Sequence, residues 1–458
     1  MFGNSGFNRD AERIPLSVDE RKNRRGEYDY YGASGVIDSI NDYLFDKPLL
    51  LIGEDGANLI NRSTPIAFIA RGKYWVNNHA HVLDGISEDF LQYICLHINA
   101  ISLEAYITGT AQPKMNQAKM NSIVLALPPL AEQKRIVAKV DELMALCDKL
   151  EEEQAENSAT HQTLVETLLT TLTDVETPEA FFEAWQRIAE HFDTLFTTEQ
   201  SIDKLQETIL QLAVMGKLVP QDADDEPASM LLEKIAEEKE KLMKEGKLKK
   251  QKPFSVIDIK EFPFTLPDSW KWARLGNSGI GATGKTPSTK DTKNFNGDIP
   301  FLGPGQITPS GEILEAEKFL SEIGLEYSVE ALEGDILMVC IGGSIGKSAI
   351  VNQRIAFNQQ FNLIRPLFIN SQYLKYTVST DVFYKLLLEK ATGSATPIIN
   401  RGKWEELLIP IPPLNEQNRI VEKVDELMAL CDRLRLSLRE LQTTQINLAD
   451  TVAKQLSE

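Results

Sequence analysis

Residues 279–286, GIGATGKT, satisfy the GxxxxGK[ST] spacing with which a glycine-rich loop wraps phosphate while a lysine neutralises it. That chemistry requires a buried strand before the loop and a helix after it, so that amides and a helix N-terminus converge on the anion. Here Pro287 and a run of turn formers follow without apolar periodicity, and no hydrophobic strand ending in a magnesium-binding Asp comes after them. The related stretch 345–348, IGKS, lacks the first glycine. Nucleotide hydrolysis through Lys285 is therefore the weakest reading. His79 and His81 alternate as residues on one face of a strand do, but two imidazoles without a third ligand do not make a zinc site. Glu54 and Asp55 imitate a nuclease carboxylate pair, with no lysine and partner acid placed to complete it, so a structural turn is the better reading. No metal and no cofactor is expected.

What remains is the chemistry of recognition. In the first part of the chain Arg21, Lys22, Arg24 and Arg25 cluster with Tyr28, Tyr30 and Tyr31, and Asn77, Asn78, His79 and His81 form a second group. In the second part Lys285, Thr286, Ser288, Thr289 and Lys290 form one group, Ser344 and Lys347 another, and Asn358, Gln359 and Gln360 a third. Lysine and arginine neutralise phosphates or address guanine, and Asn and Gln bond bidentately to adenine. Each cluster alone is what a solvated loop carries. Their recurrence in both parts points to a two-site reader of double-stranded DNA.

The elements that would hold these groups repeat. Residues 128–150, PPLAEQKRIVAKVDELMALCDKL, and 412–434, PPLNEQNRIVEKVDELMALCDRL, are identical at 19 of 23 positions. At the same offset of 284, Gly109, Ala111, Pro113 and Asn116 match Gly393, Ala395, Pro397 and Asn400. The prolines favour an extended approach. After them Ile136, Val140, Leu143, Cys147 and Leu150 recur at spacings of four and three, as do Ile420, Val424, Leu427, Cys431, Leu434 and Leu438. Such a stripe seeks a partner helix. The expected arrangement is a helical spacer in which the C-terminal helix lies antiparallel to helices of the central region.

Between the copies, Pro178 is expected to interrupt the first helix, Phe181 to Phe192 to form another, and Ile202 to Val214 a third. Ser229 is the expected cap of a fourth. The runs 48–54, 65–70, 335–342 and 361–366 read as strands, and 381–390 as a helix. The fold class is thus α/β, as two mixed modules separated by long antiparallel coiled-coil-like helices. The segments are 1–127 (first module), 128–265 (spacer and connector), 266–411 (second module) and 412–458 (terminal helix).

The net charge of −19 is unlike a phosphate-binding protein, but its distribution weakens the objection. Residues 151–200 hold twelve acidic side chains and one basic, whereas 1–130 sum to −3 and 266–412 to −1. The four cysteines form no CxxC pair and no apolar run is long enough to span a bilayer, so a reducing, cytoplasmic setting without membrane contact is expected.

The chain resembles the specificity subunit of type I restriction-modification systems. The resemblance rests on LPDSWKWARLG at 266–276, GKTPSTKDTKNFNGDIPF at 284–301, the turn at 393–400, both PPLxEQxRIVxKVDELMALCD stretches and the central 205–242 segment. GEYDYYGASGVID and the run from LLIGEDGAN to NNHAHVL in the first module belong to it too. It implies two target-recognition domains, each reading half of a split asymmetric sequence. It also implies helices that set the gap and dock two methyltransferase subunits, with restriction subunits in the larger assembly. Adenine methylation and cleavage would reside in those partners; neither NPPF nor DPPY occurs here. The first module has no counterpart of LPDSWKWARLG and is expected to lack its opening segment. A protein-binding scaffold without DNA recognition is the competing reading.

Overall fold

The computed structural model describes residues 7–109, 112–175, 177–250, 252–393 and 395–457. The chain divides into two compact units, Met1–Asn157 and Ser158–Glu458. No helix among the described residues is long and apolar enough to cross a membrane.

The first unit contains α1 (Val18–Asn23), β1 (Arg25–Gly32), β2 (Gly35–Ile40), β3 (Phe45–Asp46), β4 (Leu49–Gly53), α2 (Asn58–Asn61), β5 (Ala67–Ala70), β6 (Lys73–Val76), β7 (Ala80–Leu83), α3 (Glu88–Ala100), α4 (Gln117–Asn121) and the start of α5 (Leu130–Asp174). Its sheets run β2-β1-β6-β3 and β5-β4-β7. Strand β4, LLLIG, is buried throughout because its alternate residues enter two cores. Leu50 and Ile52 pack under α3 with Ile94 and Ile98, while Leu49 and Leu51 pack with Tyr74 and Val76.

The second unit contains α6 (Pro178–Glu190), α7 (Phe192–Leu195), α8 (Glu199–Val214), α9 (Ala228–Lys244), β8 (Lys271–Arg274), β9 (Gly279–Thr283), β10 (Phe295–Leu302), β11 (Lys318–Leu320), α10 (Glu322–Glu326), β12 (Glu330–Ala331), β13 (Ile336–Val339), β14 (Ser348–Ile350), β15 (Ile355–Phe357), β16 (Phe361–Pro366), α11 (Ser371–Val378), α12 (Asp381–Lys390), α13 (Arg401–Glu405), β17 (Leu408–Ile411) and α14 (Leu414–Ser457). Its sheets run β11-β10-β15-β12, β14-β13-β16-β9 and β17-β8. The first two repeat the plan of the first unit. Strand β10 pairs parallel with β15 as β1 does with β6, and β13 lies between β14 and β16 as β4 lies between β5 and β7.

The units differ at one edge. In the second, β9 pairs with β16 over five residues. In the first, among the described residues, the opposite edge of β7 is met by residues 7–10 rather than by a full strand, through a bridge from Asn8 to Leu83 and the Arg9 amide donating to Val82 O at 2.8 Å. The proline-gated segment of the second unit is clamped as β17 against β8, whereas residues 123–127 of the first join no strand.

Some expectations for the helices are met and others are corrected. The interruption expected at Pro178 is present: α5 ends at Asp174, and Pro178 opens α6 at its first turn, where a missing amide costs nothing. Helix α9 begins at Ala228, with Pro227 at the cap position and no side-chain cap, so Ser229 does not cap it. The C-terminal helix does lie antiparallel on the central region: Arg435 of α14 pairs with Asp203 of α8, and Arg439 with Glu199. Ile420, Val424 and Cys431 are fully buried there, with Leu427, Leu434 and Leu438 half-buried around them. Among the described residues the matching stripe of α5 is buried less. Ile136 and Val140 are half-buried, while Leu143, Cys147 and Leu150 are exposed.

Candidate nucleic-acid interface

The glycine run that imitates a phosphate loop is a strand. Residues 279–283 pair with β16 as an extended edge strand, so their amides point alternately to opposite sides rather than converging on one anion, and no helix follows. The glycines serve close packing: a Cβ would stand 2.0 Å from the Arg365 carbonyl oxygen at Gly279 and 1.9 Å from Glu405 Oε1 at Gly281. Lys285 thus projects from the end of a sheet strand, not over a nucleotide.

Three of the polar clusters of the second unit meet at that end. The Lys285 amide donates to Phe357 O and the Asn358 amide to Leu302 O, each at 3.1 Å. The Cys340 amide donates to Gln360 O at 2.7 Å, which brings in the turn holding Ser344 and Lys347. Asn358 locks its own turn: its Oδ1 accepts from the Gln360 amide at 2.9 Å and its Nδ2 donates to Gln360 Oε1 at 3.1 Å. That lock leaves Gln359 exposed at the tip, with Oε1 accepting from Thr286 Oγ1 at 2.6 Å. Lys285, Thr286, Ser288, Thr289 and Lys290 are all exposed beside it, and Lys347 is half-buried with Nζ 3.4 Å from Ile307 O. Gln306, which the sequence reading missed, joins the group by accepting from the Gly303 amide at 3.0 Å; its signal is the GPGQ turn after β10.

The first unit repeats the turn. Asn77 Oδ1 accepts from the His79 amide at 2.8 Å, and the Asn77 amide donates to Tyr31 O. Asn78 and His79 are exposed at its tip, with the His79 ring held by Asp55 at 2.8 Å. His81, by contrast, is buried and corrects its assignment as a contact residue. Its Nδ1 faces Asp10 Oδ2 at 2.7 Å and its Nε2 the Met115 carbonyl at 2.8 Å. It stands where Asn362 stands in β16, which is bonded to Thr283 at 2.8 Å. Tyr30 is likewise in the core, its hydroxyl accepting from the Leu16 amide, and cannot face a ligand. Tyr31 is half-buried and stacked on Phe68.

Lys22, Arg24 and Arg25 lie at the start of β1 and the Asn77 turn beyond its end, about 20 Å apart at ~3.3 Å per residue. The structure does not bring them together. Lys22 and Arg25 are exposed, while Arg24 rests over the Trp75 ring and pairs with Asp42.

The carboxylates that imitated a nuclease are occupied. Glu54 takes Arg13 on one oxygen at 2.8 Å and Lys114 on the other at 3.2 Å. Among the described residues no group of histidine, cysteine and acidic side chains is placed to hold a metal. The cluster fastens residues 7–13 to β7. Burial pushes the Asp10 carboxyl up, but the His81 ring and the Val82 amide outweigh it and hold the group below its ordinary range. A depressed carboxylate stabilises the fold above its unfolded pKa and loses that contribution as pH falls through the folded value. Melting of the first unit is therefore expected to drop steeply below about pH 4. Asp10→Ala, which strands the buried ring, should cost about 3 kcal/mol at neutral pH and flatten that acid limb. A melt of Asp10→Ala that matches wild type across this range would refute the role.

The internal repeat extends to the turns before the long helices. Gly109 and Gly393 have φ of +85° and +90°, Gly56 and Gly342 donate to Pro113 and Pro397, and Asn116 and Asn400 cap the next helices. Ala111 and Ser394 lie outside the described residues. A family model described as the type I restriction modification DNA specificity domain matches residues 9–160 and 267–440, once in each half. The chain belongs to that family.

Among relatives of this specificity family, the EcoAI specificity subunit of Escherichia coli is 37% identical over 379 residues, covering 76% of this chain and 61% of that protein. The EcoEI specificity subunit of the same species is 38% identical over 394 residues, covering 81% and 66%. The chain thus spans about two thirds or less of the length of these relatives. A solved HsdS subunit from Thermoanaerobacter tengcongensis aligns over 97% of this chain and 96% of that one, at 16% identity and a TM-score of 0.44.

Proposed function

We propose that this chain is the DNA-reading component of a type I restriction-modification assembly, in which each unit addresses one half of a split target. Methylation and cleavage belong to partner methyltransferase and restriction subunits, and the chain itself performs no chemistry. The observation that carries this reading is the repeated turn, Asn77 to His79 and Asn358 to Gln360. In each, one Asn is spent on locking the backbone, so that the following polar side chain is presented at a fixed place outside the sheet. Such preset donors and acceptors are what base edges require, and Lys285 and Lys290 beside the second turn suit phosphates. The matches to specificity subunits support the same reading. The paired and buried acids, and the glycine run folded as a strand, support a non-catalytic role.

The test is to purify the chain with a methyltransferase subunit of the family and map adenine methylation genome-wide. A bipartite motif with a fixed gap is expected. Exchanging residues 266–407 for those of another family member should change one half of the motif and leave the other. A stable complex that methylates without sequence preference would make the chain a scaffold, and an exchange that alters neither half would remove the second unit from recognition.

A further inference from the structure

The two locked turns are built alike but differ in what stands beside them. Tyr31 pairs with Val76 and Leu302 with Phe357 in the same parallel register, so Gly32 and Gly303 occupy equivalent places next to the locking Asn. A Cβ on either glycine would face that amide, 3.6 Å from Asn77 Nδ2 at Gly32 and 3.4 Å from Asn358 Nδ2 at Gly303. The second neighbour differs in kind. At Gly303 it is Gln306 Oε1, also at 3.4 Å, on an amide held by the Gly303 N–H at 3.0 Å and by Glu317 Oε1 at 3.3 Å. At Gly32 it is the Ile37 side chain, with Cδ1 and Cγ2 each at 3.1 Å. The place that holds an oriented amide in one unit holds an aliphatic group in the other.

A single apolar side chain scattered on a surface carries no message. Ile37 is not scattered there; the backbone sets it. Tyr30 pairs with Asp38 and Tyr31 with Val36, which leaves Ile37 as the extra residue of a bulge between β1 and β2. A bulge takes a side chain out of the strand's alternation and re-aims it. Ile37 is 53% exposed and Val36 beside it 50%, at the end of the sheet where Asn78 and His79 are also exposed. Base edges offer such a surface one aliphatic group, the thymine methyl in the major groove. We propose, on the reading of DNA set out above, that Ile37 is a specificity residue of the first unit and packs on a thymine methyl of its half-site. The second unit has the Gln306 amide at the equivalent place, so the two half-sites are read there by different chemistry.

The test uses the full chain in complex with a methyltransferase subunit, and duplexes carrying its mapped motif. The first unit's half is the one that survives exchange of residues 266–407. Each thymine of that half is replaced in turn by uracil, which removes the methyl group and nothing else. At one position uracil should weaken binding about fourfold, the ~0.8 kcal/mol of one buried carbon at about 1.4 kcal/mol per tenfold. Ile37→Ala should abolish the preference for thymine at that position and leave the other thymines as they were, while Ile37→Val should keep most of it. The uracil series on the unaltered chain needs no variant, so a variant that fails to fold does not shield the proposal. A first half without thymine, no preference for thymine at any position, or a preference that Ile37→Ala leaves intact would overturn it, with the bipartite motif still upholding DNA reading. A complex that shows no motif at all would overturn both.

Discussion

Gln359→Ala is expected to relax base preference at one position of the second half-site while leaving affinity for unrelated DNA nearly unchanged. The side chain stands exposed on a turn locked by Asn358, and its amide is already oriented by Thr286. A bidentate amide contact to a base contributes about 1–3 kcal/mol of discrimination, a roughly five- to 150-fold change in the specific-to-nonspecific ratio. Lys285→Ala should behave differently. It should weaken binding to every sequence and reduce the slope of log affinity against log salt by about 0.9, the signature of one lost phosphate contact. Titrations of the methyltransferase complex with duplexes varied one base at a time, at several salt concentrations, separate the two. Equal losses on all duplexes for Gln359→Ala would mean that the turn is only a backbone anchor.

The second large effect is a contrast between positions in the duplicated stripe. Ile420 is fully buried at the α14–α8 contact, so Ile420→Ala should destabilise the second unit by about 2–5 kcal/mol. Leu143→Ala changes an exposed member of the same stripe and should stay within about 0.5 kcal/mol. Denaturant unfolding followed by proteolysis of each unit would read both. A comparable loss at Leu143 would show that the α5 face is already covered in solution.

Much of the scaffold was legible from period and punctuation. The run 361–366 is β16 and 381–390 is α12, because an apolar run bounded by turn formers and a capped amphipathic stretch leave the backbone few alternatives. The repeat at 128–150 and 412–434 located both long helices, since identical sequence imposes the same local preference. The candidate contact residues were less legible. Asn77 and Asn358 look like contact residues in sequence and are backbone locks in space. His81 and Tyr30 are drawn inward because alternation along a strand does not say which face meets the core. The GIGATGKT run misled for the same reason: glycine spacing records permissiveness, and whether that admits phosphate or a neighbouring carbonyl depends on what lies beside it.

By itself the sequence determined the duplication, the mixed α/β class, the two long helices and the family. All of these follow from local periodicity and from residues compared with one another along the chain. Only the tertiary structure decided which side chains remain available. It buried His81 against Asp10, spent Asn358 on its own turn and left Gln359 and Lys285 outward. It also covered one copy of the helical stripe with α8 and left the other less buried. Burial is a property of what packs against a residue, and two segments of the same sequence acquire different roles when their neighbours differ.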